Sequence, residues 1–160
     1  MNEKNGEHPF GDTGQIALGG LFIVIWVLDS FVFKWTTFMG KSVSIFVRAP
    51  LALGLFVLAF LLIQSSHRVV EGNRDHLLTE GIFRFVRHPL YLGSLLVYLG
   101  LAISTLSLAS LGLLVCMFLF YDFIGGYEEK LLSIKFGEEY QKYKKKTGKW
   151  FPRITGHKNQ

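Results

Sequence analysis

The chain has 160 residues, half of them hydrophobic, with 15 phenylalanines and a positive mean hydropathy, a balance that excludes an ordinary soluble domain of this length and indicates a membrane protein. The net charge of +5 does not point to nucleic acid, because the basic residues flank apolar runs instead of lining a face with interleaved aromatics; a membrane-surface role accounts for them. The single cysteine, Cys116, excludes an internal disulfide and a multi-cysteine metal site.

Length, and the lack of a Pro/Gly/Ser linker, indicate one domain over residues 1–160. The opening MNEKNGEHPFGDTG sets Glu3, Glu7 and Asp12 against Lys4. It lacks the basic start of a cleaved signal peptide, so the first apolar run is expected to stay in the mature protein. Residues 16–33 are apolar apart from glycine, Asp29 and Ser30; as a helix they span about 27 Å and form a first transmembrane segment. Residues 43–63 form the second, with Arg48 and Pro50 near its start, where a first-turn proline is tolerated and an arginine can snorkel.

A polar segment, 64–88, carries Arg68, Glu71, Arg74, Asp75, His76 and Glu80. Residues 89–124 are then apolar, and as one helix would run about 54 Å against a hydrocarbon core of about 30 Å. The run must fold back, with the break expected at Ser104-Thr105-Leu106-Ser107, giving spans over 89–104 and 106–125. Fourteen of the Lys and Arg residues then share one side, against Lys34, Lys41 and Arg48 on the other, which puts both termini in the cytoplasm.

In the tail, 128–146, Leu132, Phe136, Tyr140 and Tyr143 recur on one helical face, while Glu138 and Lys142 pair on another. This reads as an interfacial helix finished by the aromatic anchors Trp150 and Phe151, with Lys144, Lys145 and Lys146 against anionic lipid. The expected fold class is therefore all-α: an integral membrane bundle of about four transmembrane helices with an amphipathic C-terminal interfacial helix.

Few residues offer chemistry. Glu128 and Glu129 are adjacent carboxylates at the exit of a transmembrane helix, costly unless something cationic compensates them, and Asp29 and Asp122 are placed inside spans, where a functional or interhelical hydrogen-bonding role is the default. His88 has no second histidine at a ligand spacing among His8, His67, His76 and His157, so no metal is expected. Covalent catalysis has no candidate, since neither a Gly-rich phosphate loop nor a nucleophile elbow is present.

The run LLTEGIFRFVRHPLYLG at 77–93, followed by EEKLLSIKFGEEYQKYKKK at 128–146 and FPRI at 151–154, resembles the C-terminal half of the isoprenylcysteine carboxyl methyltransferase and phospholipid methyltransferase superfamily. The shared pattern is L-x-T-x-G, then R-H-P-x-Y-x-G, a transmembrane hairpin, E-E-x-x-L-x-x-x-F-G-x-x-Y-x-x-Y, and a P-R ending.

The resemblance implies an integral membrane enzyme that moves a methyl group from S-adenosylmethionine to a lipophilic acceptor, a small molecule or lipid, among the membrane lipids. It implies donor contacts at His76, Leu77, Leu78, Phe83, His88, Pro89, Leu90, Tyr91 and Glu128, with the Glu128 and Glu129 pair as the catalytic carboxylates. Carboxyl methyltransferases of prenylated proteins carry an arginine where this chain has Ile124. That difference and the nearby Asp122, read as substrate-binding, suit a cationic, amine or neutral acceptor. The short chain implies a small acceptor pocket, or one completed by another protomer. Two other readings stay open: a membrane sterol-type reductase using a nicotinamide cofactor, whose C-terminal motifs are similar, and a non-catalytic membrane adaptor that keeps the fold.

Overall fold

A computed structural model describes residues 11–72 and 76–153. The N-terminal reading, Arg74, Asp75 and the closing Ile154 of the motif lie outside the described residues. Among those described, no strand occurs; Val86 and Gly148 form an isolated bridge.

Helix α1, Gly11–Val27, continues into a wider π-helical turn, Leu28–Phe33, and ends at Lys34 in the left-handed region. That turn carries Asp29 inward. Its carboxylate accepts from the Thr36 amide at 2.9 Å, the Thr36 hydroxyl at 2.6 Å and the Ser107 hydroxyl at 2.5 Å. The interhelical partner that Asp29 lacked in the sequence is thus Ser107, 78 residues away. Ser30 adds a bond to Thr105 at 2.9 Å, and the Trp26 indole donates to the Leu101 carbonyl at 3.0 Å.

Helix α2, Ile45–Gly72, runs nine residues past the expected end at 63. The polar residues after 63 do not stop it, because they include no proline or glycine until Gly72. Pro50 lies in its second turn, not its first, so the Phe46 carbonyl receives no helical N–H from it; Phe46 sits in the first exposed turn, where that omission is cheap. Nor does Arg48 simply snorkel: it donates to the Ser104 carbonyl at 2.9 Å and so serves an orphan acceptor at the end of the next helix.

Helix α3, Pro89–Thr105, stops at Leu106 in the left-handed conformation, and Ser107 caps α4 by accepting from the Ser110 amide. The reversal therefore falls inside the four residues expected for it. Helices α2 and α3 approach closely through glycine: a Cβ at Gly100 would lie 2.6 Å from the Phe56 ring, and one at Gly93 2.7 Å from Ile63.

Helix α4, Leu108–Lys146, does not end at the membrane exit. In place of the expected division between a span over 106–125 and a separate helix from 128, the helix runs through both glutamates and breaks only at Gly137, whose φ of 51° separates it from a last helical stretch ending at Lys146. Gly125 and Gly126 cost a helix only about 1 kcal/mol each, too little to end one this long.

Among the described residues, three helices are long and apolar enough to cross a membrane, within Thr13–Phe33, Ile45–Val70 and Leu108–Lys146, while α3 is shorter at 17 residues. Large apolar side chains such as Phe46, Leu53, Leu119 and Phe123 point outward, as the surface of a multi-pass membrane bundle requires. The core that joins the helices contains Phe22, Leu95, Ala102, Met117, Tyr121 and Trp150.

Candidate active site

The site forms where α3 begins. Pro89 takes the first helical position, where its missing N–H costs nothing, and Arg87 and His88 just before it are both buried. Across from them α4 presents Glu128 and Glu129, and its last turn, beyond Gly137, supplies Lys144. From Leu108 to Glu128 the helix rises about 31 Å, long enough to carry the two glutamates past a hydrocarbon core of about 30 Å.

Glu129 is held from three directions. Arg87 Nε donates to its Oε1 at 2.9 Å, Lys144 Nζ lies 2.8 Å from Oε2, and His88 Nε2 lies 3.3 Å from Oε1. Arg87 also donates to the Lys144 carbonyl at 3.3 Å and to the Thr147 carbonyl. Burial would raise the Glu129 carboxyl, but the bonds from His88, Lys144 and Arg87 outweigh it and hold the group well below the ordinary carboxylate range.

Glu128 has different company. It accepts from the Tyr91 hydroxyl, and its Oε2 lies 3.6 Å from His88 Nδ1. The His88 and Tyr91 rings are nearly parallel with centroids 5.6 Å apart, and Tyr91 stacks on Tyr121 at 5.1 Å. Gly125 makes room for this row, since a Cβ there would come 3.1 Å from His88 Nε2.

Of the residues singled out in the sequence, these bonds join His88, Tyr91, Glu128 and Glu129. Pro89 is buried at the start of α3, and Leu90 is half-buried beside it. Phe83 is buried, and its carbonyl accepts from the Tyr143 hydroxyl at 2.6 Å. Leu77 and Leu78 are half-buried on the segment leading to Gly81, with His76 exposed ahead of them. Asp122 is engaged by the tail: Lys149 Nζ lies 2.5 Å from its Oδ1 and Trp150 Nε1 donates to the same oxygen at 2.9 Å.

Sequence reasoning misplaced two residues and passed over a third. Lys144, expected against lipid, pairs with Glu129. Trp150, expected as an interfacial anchor, is 9% exposed and tilts over His88 at 6.1 Å; Phe151 alone keeps the outward position, at 75%. Tyr121 drew no attention inside its apolar run, yet it ends the ring stack. The available signal was an adjacent pair of glutamates needing cations, with Arg87 in a motif and Lys144 four residues beyond a patterned tyrosine.

Beyond Tyr121 a cleft of about 410 Å³ opens between α1, α3 and α4, walled by Gly19, Gly20, Ser94, Tyr98 and Tyr121. At Gly19 the Tyr98 hydroxyl closes over the helix, whereas a Cβ at Gly20 would meet nothing within 4 Å.

The phospholipid methyltransferase family matches residues 47–139, which include α3 and both glutamates. The chain is 31% identical over 144 residues to the cobalt-zinc-cadmium resistance protein CzcN of Cupriavidus metallidurans, covering 86% of this chain and 64% of that protein. It is 35% identical over 116 residues to the protein-S-isoprenylcysteine O-methyltransferase of Schizosaccharomyces pombe, covering 65% of this chain and 47% of that one. The chain thus spans less than two thirds of either relative.

Proposed function

Because the chain belongs to the phospholipid methyltransferase family, we propose that it is a membrane enzyme that takes a methyl group from S-adenosylmethionine and delivers it to a lipophilic acceptor lying in the bilayer. The observation that carries this reading is Glu128, a carboxylate bonded to the Tyr91 hydroxyl at the edge of the His88, Tyr91 and Tyr121 ring stack.

S-adenosylmethionine supplies a methyl already activated on a sulfonium, and it carries an ammonium as well. The donor set suits those charges: Glu128, at the edge of the ring stack, attracts a cation. His88, stacked on Tyr91, orients the bound group through a ring nitrogen. Phe83, Pro89 and Leu90, with Leu77, Leu78 and His76 along the incoming segment, are the further donor contacts that the family motif implies. Glu129 has a separate task, tying the loop before α3 to α4 and its last turn, so that Glu128 and His88 face each other at fixed distance. Transfer to an aligned nucleophile depends on positioning and on exclusion of water more than on an acid-base pair.

In this reading α3 makes a fourth crossing, about 26 Å long. The Lys and Arg distribution turns the glutamate end toward the cytoplasm, where a soluble donor is met. The acceptor occupies the cleft between α1, α3 and α4, which reaches the ring stack at Tyr121. With Ile124 buried, and with Arg87 and Lys144 both spent on Glu129, the site favours a neutral or amine acceptor over a carboxylate.

The test is calorimetric titration of the purified chain in detergent, together with transfer of a tritiated methyl group into membrane lipid extracts. Saturable S-adenosylmethionine binding, abolished in His88→Ala and Glu128→Ala, is expected. Wild-type protein that binds NADPH and not S-adenosylmethionine would overturn the proposal.

A further inference from the structure

After α4 the chain turns back on itself. Gly148 makes the turn, because any Cβ there would collide with the Phe151 carbonyl oxygen. The Arg87 amide donates to the Gly148 carbonyl at 2.9 Å, so the turn is fastened to the loop that carries His88. Thr147, 3% exposed, adds a bond from its hydroxyl to the Arg84 carbonyl at 3.2 Å.

Lys149 and Trp150 then both reach back to Asp122 on α4. Lys149 Nζ lies 2.5 Å from Oδ1 and donates to the Asp122 carbonyl at 2.7 Å, while Trp150 Nε1 donates to Oδ1 at 2.9 Å. The indole so placed packs on Phe118 at 5.3 Å and covers the His88 ring. This short strap lies beyond the residues that match the family.

We propose that Asp122 is a positioning residue: by holding Lys149 and Trp150 it keeps the strap over the His88 side of the donor site and thereby sets how firmly the donor is retained. The proposal rests on the methyl-donor reading above. The strap's hold on α4 is concentrated in one residue, since Lys149 and Trp150 both bond Asp122. Retention and closure are reciprocal: whatever closure adds to donor affinity, bound donor adds to closure.

Asp122→Ala in the full chain removes both side-chain bonds and leaves only the Lys149 bond to the carbonyl. The expected result is a donor KM about tenfold higher, as for loss of a charged hydrogen-bond acceptor, with kcat at saturating donor nearly unchanged. Trypsin should cut faster after Lys149 in the variant, and S-adenosylmethionine should protect that site in the wild type but not in the variant. Asp122→Asn keeps an oxygen for Trp150 Nε1 and should recover most of the donor affinity. If Asp122→Ala does not fold, Trp150→Phe, which removes only the Nε1 bond, takes its place with the same expectations at smaller size.

A variant with wild-type donor KM and wild-type cleavage overturns the proposal. So does one that raises the acceptor KM alone, which would return Asp122 to the acceptor. Should the wild type bind no S-adenosylmethionine, the methyl-donor reading falls and donor retention falls with it. Cleavage measured without donor then still judges the anchor: equal rates in wild type and Asp122→Ala would remove that too.

Discussion

Asp29 and Glu129 are equally buried, each 5% exposed, and are satisfied by opposite means. Asp29 is surrounded by neutral donors, the Thr36 amide and the Thr36 and Ser107 hydroxyls. Glu129 is surrounded by Arg87, Lys144 and His88. Short hydroxyls from two turns hold an anion in place and do little else, which pins the end of α1 to the α3–α4 reversal. Long cationic side chains from separate segments couple those segments, and the coupling sits beside the groups that could meet a ligand. The difference teaches that a buried acid in this bundle is best judged by what neutralises it.

The largest expected effect follows from breaking the cationic cluster. Arg87→Ala or Glu129→Gln leaves a buried charge without its partner, a change that costs about 3–5 kcal/mol in comparable pairs. Thermal unfolding in detergent should show both variants strongly destabilised, and the double variant Arg87→Met with Glu129→Met should recover part of the loss. The same cluster predicts acid sensitivity. A carboxyl held low in the folded state contributes stability that is fully present above its ordinary value of 4.5 and declines as pH falls below it.

The neutral cluster should yield less. Asp29→Asn keeps one oxygen and forfeits the other, and with it either the Thr36 amide bond or the two hydroxyl bonds, a loss of about 1–3 kcal/mol, and should leave S-adenosylmethionine affinity at the wild-type level. If Asp29→Asn weakened donor binding as much as Glu129→Gln, the two acids would not divide into pin and coupler, and the distinction drawn from their neighbours would fail.

The two clusters were also unequally readable in the sequence. His88, Pro89, Tyr91 and the glutamate pair stand in compact motifs, and the hairpin break was visible because 36 apolar residues cannot cross once. Proline marked the start of α3, while α1 begins at Gly11, five residues ahead of the apolar run that reads as its start; neither signal reports packing. The interhelical partner of Asp29 comes from 78 residues away and the partners of Asp122 from 27 and 28, and no local pattern encodes such distances. The continuity of α4 was hidden for a related reason: Gly125-Gly126 resembles a break, yet Gly125 is there to admit the His88 ring. Tail lysines and a tryptophan look alike whether they face lipid or fold inward, so Lys144 and Trp150 were readable only as surface.

Glu128 sharpens the comparison, because it is the acid whose setting is neither neutral nor fully cationic. Glu128→Gln keeps an acceptor for the Tyr91 hydroxyl and removes the charge, so the fold should hold to within about 1 kcal/mol. Donor affinity, measured by calorimetry, should fall about tenfold, the worth of one charge-assisted contact. Equal losses of stability in Glu128→Gln and Glu129→Gln would mean that both carboxylates are ties.

The smallest effect is expected in the cleft, where nothing is charged. Gly20 lines it, and a Cβ at Gly20 meets nothing within 4 Å, so leucine there fills open space without straining the helix contacts. Gly54 on α2 is equally open but lies outside the cleft, which makes Gly54→Leu the control for added bulk on a lipid-facing helix. Gly20→Leu should lower methyl transfer into lipid a few-fold through the acceptor KM, while donor affinity and unfolding temperature stay with those of Gly54→Leu. Were the two variants alike in turnover, the cleft would be only lipid-filled relief between α1 and α3. The acceptor would then have to reach Tyr121 from another side of the ring stack.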